Sequence, residues 1–218
     1  SGKAIRRVRG QIRAGSEGKI FAAALSPDNR LLALGGWLDS SARGKLPCCG
    51  DIRLIDLPSG QVLQLLKGHT SVISDLAFSA DGRFLVSGSS DTAARIWDVA
   101  SDKSQHTLTG HQDNIQAVAF SPDSSKVVTG SYDHTLKLWN RTTGRHLSDM
   151  NGHDGEVQSV AFTPDGRYIL SGSSDQTIRL WQGTDGKFIK VLAKQDSSVT
   201  SLSISPDGTK TITGIGQG

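Results

Sequence analysis

The sequence predicts an all-β protein assembled from repeated four-stranded antiparallel sheets. His69, His111 and His153 are each 42 residues apart, and an aspartate and a tryptophan recur with the same period. Within each period, short runs rich in Val, Ile, Thr and Phe alternate with turn sequences such as S-P-D-G. No segment shows a sustained apolar period of about 3.6 residues, so we expect essentially no helix. Four short strands in every period form a blade, and stacked blades form a β-propeller.

The repeat divides residues 1–218 into about four complete blades and a partial fifth. The expected boundaries are 1–15 for the outer strand of a preceding blade and a linker, 16–68 for a degenerate blade with an insertion at 37–50, 69–110, 111–152 and 153–195 for three regular blades, and 196–218 for the partial blade. Three arrangements of the ring stay open. The chain is a fragment of a longer propeller, a five-blade ring with one defective blade, or a unit that exchanges strands with other copies.

The regular units resemble the WD-repeat family. They run from Gly68 to Asp98, from Gly110 to Asn140 and from Gly152 to Gln182, and each contains a Gly-His start, a turn of the form S/T-x-D-x, a second turn ending in Asp and a terminal Trp. The resemblance implies a buried hydrogen-bonded tetrad in each blade. Carried over by position, the tetrads are His69, Ser87, Asp91 and Trp97; His111, Thr129, Asp133 and Trp139; and His153, Ser171, Asp175 and Trp181.

The flanking units depart from this pattern. In the first unit Ile55 replaces Trp and Ala33 replaces the hydroxyl residue, so we expect apolar packing there instead of a polar chain. In the fifth unit Gln195 occupies the His position and Gln217 the Asp position. The turns and the low divergence between units look like bacterial WD-repeat arrays, and KIFAAALSPDNRLLALGGW is similar to the propeller start of bacterial caspase-like proteins. This resemblance implies a sensing or recruiting module of a larger effector protein.

Composition excludes several classes of function. The net charge of +3 is too small to predict nucleic-acid binding, and the apolar runs are too short to span a membrane. The first residues lack an apolar signal core, so we expect a cytoplasmic protein. Cys48 and Cys49 are adjacent, which argues against a disulfide scaffold or a four-cysteine zinc site and favours an exposed loop over a redox role.

The recurring Ser, His and Asp superficially resemble a hydrolase triad. A nucleophile needs exposure, an oxyanion hole and a pocket, whereas this trio repeats in three units beside a tryptophan expected to be buried. The matched histidines belong to separate blades, so we expect neither a metal site nor a cofactor nor catalysis.

Two positions per unit are predicted to point toward the central channel and bind a partner. Aromatic side chains exposed near a concave centre are typical interface anchors, which favours Trp37 and Tyr132. The alternatives are that Trp37 packs under the insertion and that Tyr132 is a simple variation of the turn sequence. The predicted function is a non-catalytic scaffold for proteins or peptides; the alternative is a structural element that self-assembles through open blade edges. The predicted partner-binding residues are Trp37, Ser71, Ile73, Ser90, Asn114, Gln116, Tyr132, Glu156, Gln158, Ser174, Ser198 and Thr200.

Overall fold

The chain folds into successive antiparallel sheets that stack in sequence order. The computed structural model describes residues 19–37, 50–101 and 103–216, and the regular elements in these ranges are all β-strands. Four sheets have four strands each, and the last has two, which confirms the predicted fold class. The expected outer strand within 1–15, most of the insertion with Cys48 and Cys49, and Gln217 lie outside the described residues.

Within each four-stranded sheet, consecutive strands are neighbours. The first sheet contains β1 (Lys19–Leu25), β2 (Leu31–Trp37), β3 (Gly50–Asp56) and β4 (Val62–His69). The second contains β5 (Ile73–Phe78), β6 (Phe84–Ser89), β7 (Ala94–Asp98) and β8 (Ser104–Leu108). The third contains β9 (Ile115–Phe120), β10 (Lys126–Ser131), β11 (Leu136–Asn140) and β12 (His146–Met150). The fourth contains β13 (Val157–Phe162), β14 (Tyr168–Ser173), β15 (Thr177–Gln182) and β16 (Phe188–Lys194), and the two-stranded sheet contains β17 (Ser198–Ile204) and β18 (Thr211–Gly216).

The same turn closes the first hairpin of each sheet. In the second sheet, the Ser79 hydroxyl donates to the Asp81 carboxylate at 2.5 Å, and that carboxylate accepts the Arg83 amide at 3.1 Å. The turn then needs a left-handed residue, which favours glycine. Glycine supplies it in three sheets, as at Gly82 with φ of 70°, and Asn29 and Ser124 adopt it in the other two, with φ of 58° and 57°.

Neighbouring blades pack through a glycine on the second strand of each four-stranded sheet, which we call the glycine notch. A Cβ placed on Gly130 would lie 2.6 Å from Cγ1 of Val157 and 2.9 Å from Cγ1 of Val160, both in the next blade. The absence of a side chain therefore lets the next first strand approach closely. The three largest clusters of buried apolar side chains each draw residues from two adjacent blades, so the core lies between the sheets. The other filled notches pair Gly35 with Ile73, Gly88 with Ile115 and Gly172 with Val199.

At two of these interfaces, a side chain on the first strand of one blade accepts a hydrogen bond from a backbone amide of the next blade. Oδ2 of Asp75 accepts the Val118 amide of the next blade at 2.8 Å, and Oδ1 accepts the Leu76 amide at 2.9 Å. Ser159 occupies the same position in the fourth sheet, and its hydroxyl accepts the Leu202 amide at 2.9 Å. Burial raises the pKa of Asp75 to about 6, although the two amide donors oppose the shift. Ionising the Asp75 carboxyl therefore costs folding stability. The neutral Ser159 hydroxyl accepts the corresponding amide in the fourth sheet without a charge.

Filling a notch should separate two blades. We expect Gly130→Val to lower the free energy of unfolding by about 2–3 kcal/mol, because its side chain overlaps Val157 and Val160. Urea denaturation measures the loss. Ser203→Val places the same side chain at an exposed position of β17 and serves as the matched control. Equal denaturation midpoints for the two variants would contradict the role of the notch.

Replacing the buried carboxyl should change how stability depends on pH. The folded pKa of Asp75 lies above its unfolded value, so its ionisation costs stability as pH rises from about 4 through 6, and the cost is complete above 6. We expect Asp75→Ser to gain about 1–3 kcal/mol over wild type between pH 4 and pH 7. Urea denaturation across this range tests it, with Asp196→Ser as the exposed control. A constant difference across that range would rule the effect out.

Candidate interaction surface

The structure brings the four residues of each expected tetrad together inside one blade. In the third sheet, the Trp139 indole donates to the Thr129 hydroxyl at 3.0 Å, and that hydroxyl lies 2.7 Å from Nε2 of His111. Nδ1 of His111 is 2.7 Å from the Asp133 carboxylate. The corresponding distances are 2.9, 2.8 and 2.8 Å for Trp97, Ser87, His69 and Asp91, and 2.8, 2.7 and 2.7 Å for Trp181, Ser171, His153 and Asp175.

The charges of the tetrad select one direction for its hydrogen bonds. Burial alone would raise the pKa of Asp133, but hydrogen bonds from Thr135, the Gln112 amide and His111 hold it at about 2. Burial lowers the pKa of His111 despite the nearby carboxylate, so the ring is neutral at pH 7. Nδ1–H then donates to Asp133, and Nε2 accepts the Thr129 hydroxyl hydrogen.

This satisfied arrangement is structural. Ser87, Thr129 and Ser171 have no solvent exposure, so a substrate has no access to their hydroxyls. Each histidine is already hydrogen-bonded through both nitrogens, as at His69 with Asp91 and Ser87. The Ser-His-Asp pattern seen in the sequence therefore supports packing within each blade.

The first and last sheets are stabilised differently. Ile55 and Ala33, which stand at the tryptophan and hydroxyl positions of the first sheet, are fully buried among apolar side chains. In the last sheet Thr213 occupies the hydroxyl position on β18. Gln195, which stands at the histidine position, donates its backbone amide to the Gln176 carbonyl in the tight turn of the fourth sheet at 2.8 Å.

The two sets of predicted partner-binding positions lie side by side at one end of the sheets. The Tyr132 amide donates to the Asn114 carbonyl, and the Ser174 amide donates to the Glu156 carbonyl, each at 2.9 Å. Each bond ties the residue before the tight-turn aspartate to the residue just before the first strand. We call this end of the blades the turn face.

In the second sheet the predicted residues are displaced by one position. The Ser90 amide donates to the Val72 carbonyl, so Val72 and Ser74 are the counterparts of the residues predicted in the other blades. Ile73 is wrong as a partner-binding residue, because it is fully buried against Gly35. Ser71 lies one residue before the equivalent position. Aligning the Gly-His starts of the units would have found Val72 and Ser74 from the sequence.

Tyr132 has the most distinctive environment on the turn face. Burial raises the pKa of its phenol, and the negative charges of Glu156 and Asp113 raise it further. The half-buried ring belongs to the third blade, and one of the two carboxylates whose charge acts on it, that of Glu156, belongs to the fourth. An aromatic ring beside carboxylates is suited to a cationic group, which gains from both the ring and the charges.

The remaining predicted residues lie at or near the same ends of their strands. Trp37 is half-buried, ends β2 opposite Lys19, and borders residues 38–49, whose placement is not described. Gln116 and Gln158 are partly exposed near the starts of β9 and β13. Ser198 begins β17, and the Thr200 hydroxyl donates to the Gly214 carbonyl at 3.1 Å.

Residues 19–37, 50–101 and 103–216 contain no cluster of three or more His, Cys, Asp or Glu side chains arranged to hold a metal ion. No helix in them is long and apolar enough to cross a membrane. An open cleft of about 420 Å³ separates two hairpin turns, but its Asp165 and Asp207 carboxylates accept hydrogen bonds from their own turns. We therefore interpret this cleft as the space between two neighbouring turns and not as a binding site.

Removing one indole should destabilise a whole blade. We expect Trp139→Ala to lower the free energy of unfolding by about 3–5 kcal/mol, because it leaves a cavity and removes the donor to Thr129. Chemical denaturation measures this loss. A midpoint indistinguishable from wild type would show that the hydrogen-bonded chain contributes little.

Comparisons with known proteins relate the chain to eukaryotic proteins over short regions. It is 33% identical over 91 residues to the small ribosomal subunit protein RACK1 of Dictyostelium discoideum, covering 41% of this chain and 26% of that protein. It is 34% identical over 73 residues to the nuclear distribution protein PAC1-2 of Uncinocarpus reesii, covering 34% of this chain and 15% of that protein. It is 46% identical over 52 residues to eukaryotic translation initiation factor 3 subunit I of Culex quinquefasciatus, covering 24% and 16%. The chain thus spans about a quarter or less of the length of these relatives.

A family comparison covers more of the chain. The family described as WD domain, G-beta repeat matches residues 60–98, 102–140 and 144–182, which together exceed half of the sequence. Each match contains one complete tetrad and ends with the strand that carries its tryptophan. The chain therefore belongs to the WD40 repeat family.

Proposed function

We propose that the chain is a non-catalytic interaction module whose turn face binds a basic peptide segment of a partner protein. WD40 repeats imply a protein-interaction scaffold. The observation that supports this site is the half-buried ring of Tyr132, whose pKa is raised by burial and by the negative charges of Glu156 and Asp113. A lysine or arginine of the partner would lie against the ring and between the carboxylates.

The rigid blades supply the geometry that such binding needs. Tyr132 and Ser174 are tied by backbone hydrogen bonds to the first strands, so the face changes little on binding. Gln116 and Gln158 are partly exposed two residues after Asn114 and Glu156, and they provide polar contacts to an extended peptide. Trp37 supplies a second aromatic anchor two blades away.

We also propose that this chain acts as the sensing or recruiting part of a larger cytoplasmic assembly. The names of two of the relatives place them in larger assemblies, a ribosomal subunit and a translation initiation factor. Attachment to an effector and the bacterial subtype remain predictions from the sequence, since the relatives described above are eukaryotic.

Peptide display on the immobilised chain tests the proposed face. We expect selection to enrich peptides with lysine or arginine. The double variant Trp37→Ala and Tyr132→Ala should raise the Kd of a selected peptide at least about tenfold, because central aromatic anchors carry much of the binding energy. Its thermal midpoint should stay near that of wild type. Fluorescence anisotropy with a labelled selected peptide measures the affinity.

Two further variants locate the site. Glu156→Gln should weaken basic peptides and reduce the salt dependence of binding, because it removes one carboxylate beside the ring. Arg145→Ala alters an exposed turn between β11 and β12 and should leave the Kd unchanged. Unaltered binding by the double variant would place the peptide site elsewhere.

A further inference from the structure

An Asn-Gly sequence, Asn151 and Gly152, immediately precedes the histidine of the fourth-sheet tetrad. Both residues are exposed and lie between β12 and β13, outside the strands. The next residue, His153, is buried. The side-chain amide of an asparagine can be attacked by the backbone nitrogen of the following residue, and glycine hinders that attack least because it has no Cβ. This segment therefore places a reactive pair directly beside a structural residue.

The fold requires glycine at position 152. Its φ is 153°, and a Cβ placed on it would lie 2.7 Å from Nη1 of Arg179. Gly68 and Gly110 have the corresponding position in the two preceding units, with φ of 155° and 153°. They follow Lys67 and Thr109, whose side chains carry no amide. Only Asn151 thus joins a side-chain amide to a nitrogen that a bulkier residue cannot shield.

The guanidinium of Arg179 lies against Gly152 and is held there by its own contacts. Its Nε donates to the Thr177 hydroxyl at 3.3 Å, and its Nη2 lies 3.6 Å from the Asp175 carboxylate. Attack on the asparagine amide develops negative charge on the glycine nitrogen and then on the amide oxygen. A fixed positive charge at this place stabilises both.

Other candidate sites in the chain are less reactive. The remaining asparagines precede arginine or isoleucine, whose side chains hinder the attack. Aspartate reacts more slowly because a carboxylate is a poorer electrophile than an amide. In four Asp-Gly turns the glycine amide also donates to a carbonyl of its own turn at 2.8 or 2.9 Å, whereas in the described ranges the Gly152 amide donates to no carbonyl. The four bonded glycines are Gly82, Gly166, Gly186 and Gly208.

We propose that Asn151 and Gly152 form a site of spontaneous backbone modification, at which Arg179 promotes conversion of Asn151 to isoaspartate and the product disrupts the fourth-sheet tetrad. The Gly152 nitrogen gives up its proton and forms a bond to Cγ of Asn151. The bond from Cγ to Nδ2 breaks, and Nδ2 takes up a proton and leaves as ammonia. Water then opens the resulting succinimide ring at either carbonyl, which yields aspartate or isoaspartate. Water is the only reagent consumed.

Isoaspartate would displace the histidine that follows it. In this product the main chain runs through Cβ and Cγ of residue 151, so it is longer by one carbon–carbon bond, about 1.5 Å. His153 lies 2.7 Å from both Ser171 and Asp175, and the Asp154 amide donates to Asp175 at 3.1 Å. A shift of this size exceeds the range over which a hydrogen bond persists. The buried hydroxyl and indole then lose their partner, which destabilises the fourth sheet.

Incubation of the full chain at mildly alkaline pH, followed by peptide mapping with mass spectrometry, tests the reaction. The peptide that contains Asn151 should gain the mass that accompanies replacement of nitrogen by oxygen, and Asn151→Ser should gain none there. Arg179→Gln should slow the conversion about two- to fivefold, because it removes the charge beside Gly152, whereas Arg179→Lys should retain most of the rate. Arg95→Gln removes the cation at the same position of the second sheet and is the matched control, with an unchanged rate.

A stability measurement separates the longer backbone from the new charge. Chromatography resolves the isoaspartate form, which should have a lower thermal midpoint than wild type. Asn151→Asp carries the same charge on a normal backbone and should melt near wild type. Circular dichroism checks that each variant folds. If Arg179→Gln does not fold, added salt should slow the wild-type conversion by screening the guanidinium.

Three results would each overturn the proposal. They are an unchanged mass of the peptide that contains Asn151, a conversion rate that responds neither to Arg179→Gln nor to salt, and an isoaspartate form that melts with Asn151→Asp. The modification goes beyond the proposed function, and none of these measurements involves a peptide ligand.

Discussion

The contact between a branched side chain and a glycine notch holds neighbouring blades together, and the arrangement of the whole molecule depends on it. A glycine in a strand interior normally weakens the strand. Here it allows the first strand of the next blade to approach until Val157 lies where a side chain on Gly130 would be. The buried apolar clusters form around these contacts, so the stability of each sheet depends on its neighbours.

The tetrads act within blades, whereas the notches act between them. Indole, hydroxyl, imidazole and carboxylate satisfy one another in a dry environment, which fixes the third strand and the tight turn of the same sheet. The first sheet achieves the same end with Ile55 and Ala33, since apolar groups need no partners. Stacking without the polar chain is therefore possible, provided that the notch is kept, as it is at Gly35.

The regular spacing made most of the fold and the tetrads predictable. A period shared by His, Asp and Trp has few structural explanations, and the S/T-x-D-x turns mark the hairpins directly. The turn face was less predictable. A shift of one residue moves a strand side chain from one face to the other, which is why Ile73 was expected at a partner site and is instead buried between blades. The charges that act on Tyr132 include that of Glu156, which lies 24 residues later in the sequence, so no local sequence pattern predicts them.

The strand count per repeat, the hairpin turns and the membership of each tetrad can be predicted from the order of the amino acids, because these depend on local propensity and on a strict period. Which apolar residues are covered becomes clear only in the folded molecule. Ile20 and Ile73 are the same residue type in the same register, yet one is exposed and the other buried. The difference arises because burial between blades requires a second sheet, and the position of that sheet is set by packing over long distances in the chain.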